Sequence, residues 1–113
     1  MSSDFWAALD RLVAESQIVI DRPKGSMHPR YPDIIYPVDY GYLEGTTAAD
    51  GGGIDVWIGS SEDRRITAVI CTVDLLKRDS ETKILIGCTE SEVQMILVVH
   101  NSDSMRGLLI RRS

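Results

Sequence analysis

Between Asp4 and Glu15 the apolar residues recur at helical spacing, with Phe5, Leu9, Leu12 and Val13 on one stripe and Asp4 and Asp10 off it. That pattern predicts an amphipathic helix over residues 4–15, with Ser3 as its cap. From Gln17 to Arg22 the period shortens to two around Val19, which predicts a first strand that Pro23 ends. Lys24 to Asp33 has neither period and carries Gly25, Pro29 and Pro32, so it reads as a loop. Ile34–Tyr36 and Tyr40–Leu43 are short strand candidates. Over Ile54–Ile58 the alternation puts Ile54, Val56 and Ile58 on one face and Asp55 and Trp57 on the other. Two β-branched runs, Ile66–Val73 and Lys83–Cys88, are expected to pair across the polar connection Lys77–Thr82. Thr89 with Glu92 three positions later forms a capping box, and Val93, Ile96, Leu97 and His100 continue at helical spacing to about Asn101. Met105–Arg111 closes the chain as a strand.

Six or so short strands, one helix before them and one near the end predict an α+β, mainly β fold: a small barrel of five to six strands with helices outside. With 113 residues the chain forms one domain, 1–113. The longest apolar run, Met95–Val99, is far short of the roughly 18 residues a membrane span needs. Acidic residues stand where a signal peptide would be basic and apolar, so a cytoplasmic address is expected. Cys71 and Cys88 fit no zinc spacing and read as small core residues, reduced in that compartment.

Seventeen acidic against twelve basic residues give a formal charge of −5, which opposes the electrostatics of nucleic-acid binding. The excess is concentrated, because residues 31–63 contain no lysine or arginine. Within that stretch, Tyr36-Pro37-Val38-Asp39-Tyr40-Gly41-Tyr42 is followed by Asp50-Gly51-Gly52-Gly53-Ile54-Asp55. Glycines at 51 to 53 can adopt angles that other residues avoid, so Asp50 and Asp55 can converge on one volume. Converging carboxylates suit a hard cation, and magnesium is satisfied by one or two of them plus waters.

These two motifs resemble the family I soluble inorganic pyrophosphatases, which carry a Tyr-Pro-x-Asn/Asp-Tyr-Gly block and an Asp-Gly-Asp-Pro-x-Asp metal loop. The resemblance runs from about Val19 to His100 and implies an OB-like barrel, Mg2+ as cofactor, and pyrophosphate or another phosphoanhydride as substrate. It makes Asp50, Asp55 and Glu81 the metal ligands, with Glu81 in the stretch Glu81-Thr82-Lys83-Ile84 that matches the family's Asp-x-Lys. Lys83 and Arg30 match basic positions that hold phosphate, and Tyr36 and Tyr40 match tyrosines lining the site. Tyr40 and Asp55 therefore stand nearest the chemistry, and Lys24 is either a substitute anion contact or a solvated loop lysine.

Several family groups are missing. The middle aspartate of the metal loop, which helps activate the attacking water, falls on Gly52, and its proline on Gly53. A phosphate-binding arginine segment is skipped, because Asp33-Ile34-Ile35 runs straight into Tyr36. The Tyr-Lys pair expected near the second helix is replaced by Val99-His100-Asn101. Asp39 or Glu44 is the substitute base on offer. The expected function is a magnesium-dependent pyrophosphatase-like hydrolase with reduced catalytic equipment; the alternative is a non-catalytic phosphate- or nucleotide-binding relative. Bacterial members of the family form hexamers, so a homo-oligomer is expected unless the shortened connections have removed its surfaces.

Overall fold

In the computed structural model, which describes residues 2–113 and leaves the side chains of Ser2 and Ser3 undescribed, six strands form one sheet and two helices cover its opposite faces. The strands are β1 (Gln17–Arg22), β2 (Asp39–Glu44), β3 (Ile54–Ile58), β4 (Ile66–Asp74), β5 (Asp79–Ile86) and β6 (Met105–Arg111). Helix α1 spans Ser2–Ala14 and α2 spans Glu90–Val99. Strand order is β1-β2-β3-β5-β4-β6; neighbours are antiparallel except β3 and β5, which run parallel. The result is a small OB-like α+β fold.

Period-two alternation sorts the core into two clusters. On the α1 side, Leu43, Val56, Ile66, Val69, Ile84 and Ile86 pack with Trp6, and Leu9, Leu12 and Val13 cover them. On the α2 side, Trp57, Ala68, Ile70 and Leu85 pack with Tyr36, Val38, Val93 and Ile96. A register shift between Ile66 and Ala68 lets Ile66 share a face with Val69, a bulge that flips the side-chain sense.

Several expectations change. Trp6 rather than Phe5 is the buried aromatic of α1: Phe5 is half exposed and meets Trp6 edge-on at 5.2 Å. Ser3 falls inside the helix instead of before it, and its side chain lies outside the described residues. Ile34–Tyr36 is no strand. It makes a single bridge, Met27 to Ile35, flanked by hydrogen bonds from Gly25 N to Tyr36 O and from Tyr36 N to Ser26 O, both 2.9 Å. Strand β5 starts at Asp79, not Lys83, because β4 carries its pairing on to Asp74↔Asp79. It stops at Ile86, where Gly87 turns left-handed at φ 61°. The capping box at α2 forms as read, with Thr89 and Glu92 bonded reciprocally, while His100 is already the C-cap.

Candidate functional site

The site lies on the α2 side, and strand register explains how it assembles. Val56 pairs with Ile84 in the parallel β3–β5 ladder, so the preceding residues, Asp55 and Lys83, come side by side on the opposite face. Glu81 shares that face with Lys83 at period two, and Tyr40 on β2 lies beside Trp57 on β3. Lys83 Nζ therefore donates to Asp55 Oδ2 at 2.5 Å, to Glu81 Oε1 at 2.9 Å and to the Tyr40 hydroxyl at 3.2 Å. Side-chain exposure is 6% for Lys83, 6% for Glu81 and 22% for Asp55. Burial works against the ammonium charge, yet contact with Tyr40, Asp55 and Glu81 outweighs it and raises the Lys83 pKa above its ordinary value. Burial, with Asp55 nearby, also pushes the Tyr40 phenol up, so it is a neutral hydrogen-bonding group at neutral pH.

Among the described residues one buried carboxylate oxygen is without a partner: Glu81 Oε2 accepts no hydrogen bond. Leaving such an atom orphaned costs more than an ordinary unmade bond, so the position favours a cation or a donor. Asp50 lines the same cleft. The Gly52 N–H donates to it at 2.9 Å and, with the positive charges of Lys77 and Lys83, lowers its pKa against slight burial. Among the described residues no three Asp, Glu, His or Cys groups are already set as a ligand cluster.

Of the three loop glycines only Gly51 uses the left-handed region, at φ 87°. Gly53 is required for another reason: a β-carbon there would meet Tyr42 Cδ2 at 2.7 Å and Leu43 O at 2.9 Å. Gly52 has neither restriction, since an added β-carbon would meet only the Asp50 carboxylate, at 3.3 Å.

The cleft has a volume of about 220 Å³ and includes Tyr36, Tyr40, Asp50, Asp55, Glu81 and Lys83. Tyr36 is 3% exposed, packs 5.4 Å from Tyr40 and 5.6 Å from Trp57, and accepts from Arg22 Nη1 at 2.5 Å. Arg30 is exposed and lines an adjoining cavity instead. Lys24 is exposed and outside the cleft lining, with its backbone N–H held by Asp39 Oδ1 at 2.9 Å. Asp39 and Glu44 are also outside that lining, so neither substitute base reaches it.

Among the cleft residues that escaped the sequence reading, three stand out. Arg22 sits on β1, where strict alternation would set it with Ile18 and Ile20. A register shift between Ile20 and Arg22 places it opposite Tyr40 instead, with its guanidinium 5.7 Å from the Tyr36 ring centre. Gly41 permits this, since a β-carbon there would collide with the Val19 carbonyl. His100 accepts from the Trp57 indole at 2.9 Å and lies 3.2 Å from Met105 Sδ; burial, then Lys83, pulls its pKa down to about 3. Lys77, at the turn before β5, is the third.

No protein-family profile matches the chain, and no curated protein matches it. Solved structures do. An inorganic pyrophosphatase of Helicobacter pylori is similar at TM-score 0.57 and 14% identity, over 87% of this chain and 84% of that one. An inorganic phosphatase of Anaplasma phagocytophilum is similar at TM-score 0.57 and 15% identity, over 83% and 81%. An inorganic pyrophosphatase of Neisseria gonorrhoeae is similar at TM-score 0.54 and 20% identity, over 79% and 77%. At these identities the likeness is one of fold, and the fold of this chain is pyrophosphatase-like.

Proposed function

We propose that the chain binds pyrophosphate or a related phosphoanhydride in this cleft together with magnesium, and hydrolyses it slowly. The observation that carries the reading is the group around Lys83: a buried cation, two carboxylates paired to it, a third carboxylate nearby and an orphaned oxygen on Glu81, beside two tyrosines. The donor set fits a magnesium ion, since it consists of hard carboxylate oxygens and one of them lacks any partner. Asp50, Asp55 and Glu81 would hold the ion. When bound, it neutralises phosphoryl oxygens and acidifies water.

The chain's own residues do the rest. Lys83 offers an ammonium fixed in position by three oxygen atoms, with its charge facing the cleft where a phosphoryl oxygen would lie. Arg22, bonded to a phenol and, among the described residues, to no carboxylate, would present its remaining N–H groups to an anion. Tyr40, kept neutral, donates its own hydroxyl proton as a hydrogen bond. Where the resemblance puts the water-activating aspartate this chain has Gly52, which has no side chain, and Asp39 and Glu44 lie outside the cleft lining. That gap favours the second reading, a binding protein that kept the frame and lost the reaction. A cytoplasmic, homo-oligomeric protein without affinity for nucleic acid completes the proposal.

Phosphate release from pyrophosphate with magnesium tests it. A positioned general base contributes about 10²–10⁴ in rate, so the parent should turn over slowly and Gly52→Asp should gain within that range. Fast turnover in the parent overturns the reduced-enzyme reading. A folded variant without gain leaves the binding-only protein.

A further inference from the structure

Beside the cleft opens a second cavity of about 320 Å³. The two share Arg22, His28, Tyr31, Asp74, Lys77 and Met105, so they form one continuous trough with differently charged ends. Asp50, Asp55 and Glu81 line the inner end alone, as do Asp21 and Asp103. Arg30 lines the outer end alone, joining Arg22 and Lys77 there.

The outer end has a single acidic residue, Asp74, and its Oδ1 is already engaged. It accepts from Leu76 N at 3.0 Å, Lys77 N at 3.1 Å and Ser104 Oγ at 2.9 Å. Among the described residues none of Arg22, Arg30 and Lys77 takes part in an ion pair. His28 sits among them. Its Nδ1 accepts from the backbone N–H of Arg30 at 3.0 Å and of Tyr31 at 3.3 Å, which puts the ring proton on Nε2 as a neutral donor. Burial first, then Arg22, Arg30 and Lys77 against Asp103, lower the His28 pKa. Three like charges gathered at one pocket repel one another, and an anion that bridges them removes the repulsion.

We propose that the outer cavity is a subsite for a further phosphoryl group, so that the preferred ligand is a linear phosphoanhydride of at least three phosphoryl groups rather than pyrophosphate. This rests on the phosphoanhydride reading of the inner cleft and extends it. Pyrophosphate held at Lys83 leaves Arg30 unused, because Arg30 lines the outer end alone; a longer phosphate chain would extend toward it past Lys77, which lines both cavities. The chain could be inorganic tripolyphosphate or the phosphate tail of a nucleotide.

Calorimetry with magnesium present compares pyrophosphate, tripolyphosphate and adenosine triphosphate on the parent and on Arg30→Ala/Lys77→Ala, both exposed positions. Tripolyphosphate should bind at least about 10-fold tighter than pyrophosphate, the scale of one charge-assisted hydrogen bond, and the double variant should bring that ratio close to one. Adenosine triphosphate binding tighter than tripolyphosphate assigns the nucleotide source; equal or weaker binding assigns the inorganic chain. In a proton NMR titration, tripolyphosphate should raise the His28 pKa more than pyrophosphate does. Equal affinities for the two inorganic anions, a ratio unchanged in the double variant, or a His28 titration that responds alike to both would overturn the subsite. If pyrophosphate alone binds, the outer subsite fails and the inner reading stands; if no anion binds, both fail.

Discussion

The two faces of the sheet are built from the same six strands and hold opposite chemistry. Under α1 the core is aliphatic around one tryptophan. Under α2 lie the buried polar side chains Thr72, Asp74, Lys83, Glu92 and His100, together with the aromatic group Tyr36, Tyr40 and Trp57. An aliphatic face stabilises without directing anything, because burial of apolar area is nondirectional. A polar face holds only if each buried group finds a partner, and most do: Glu92 caps α2 and also accepts from Ser60 N at 3.1 Å, while His100 takes the Trp57 indole proton. Among the described residues two buried oxygens lack a partner, Thr67 Oγ1 and Glu81 Oε2, and only the second belongs to a residue that lines the cleft. The division of labour is therefore a stable face that lets the other face carry unfavourable burial.

Removing Lys83 should have the largest effect on stability. Lys83→Ala strips the cation from two carboxylates of which Glu81 is as buried as the lysine itself, and breaking a buried pair from one side costs about 3–5 kcal/mol. Chemical denaturation reads the loss, and magnesium should restore part of it in the variant if the carboxylates then bind the ion. A loss below about 1 kcal/mol would mean the pair is solvated. On the other face Leu43, fully buried, should lose about 2–5 kcal/mol as Leu43→Ala, from transfer and cavity terms, with no change in pyrophosphate affinity per folded molecule. An affinity loss there would break the separation of the two faces.

Over the first pH unit below about 6.5 a smaller effect is expected, from protonation of His100. The folded protein holds His100 neutral down to about pH 3, whereas the unfolded chain binds a proton near the usual histidine value of about 6.5. Stability from this group is thus full above about pH 6.5 and declines as pH falls toward 3, by up to about 1.4 kcal/mol per pH unit. His100→Gln should flatten that part of the stability profile relative to the parent. Parallel profiles for the two proteins would show that another group carries the acid sensitivity.

Much of this was legible in the chain because it depends on local pattern. Strands β1, β3 and β6 fall where alternation puts them, the capping box places α2, and the split of Val56 from Asp55 and Trp57 holds. What was not legible depends on neighbours. Asp79–Thr82 is polar enough to read as a turn, and only pairing to β4 makes it strand. Tyr36 reads as strand but is fixed by packing on Trp57 and by Arg22. Arg22 reaches the cleft through a bulge that no periodicity announces. The outer position of Arg30 follows from the path of the 23–38 segment, which sequence spacing does not give.

The most direct test of the cleft is pyrophosphate titration into the parent by calorimetry, with and without magnesium, beside Asp55→Asn. Saturable binding that requires magnesium and weakens at least about 10-fold in the variant is expected, from loss of one charged ligand. Binding of equal strength without magnesium, or with Asp55→Asn, would contradict a cation-assisted phosphoanhydride site at Asp50, Asp55 and Glu81.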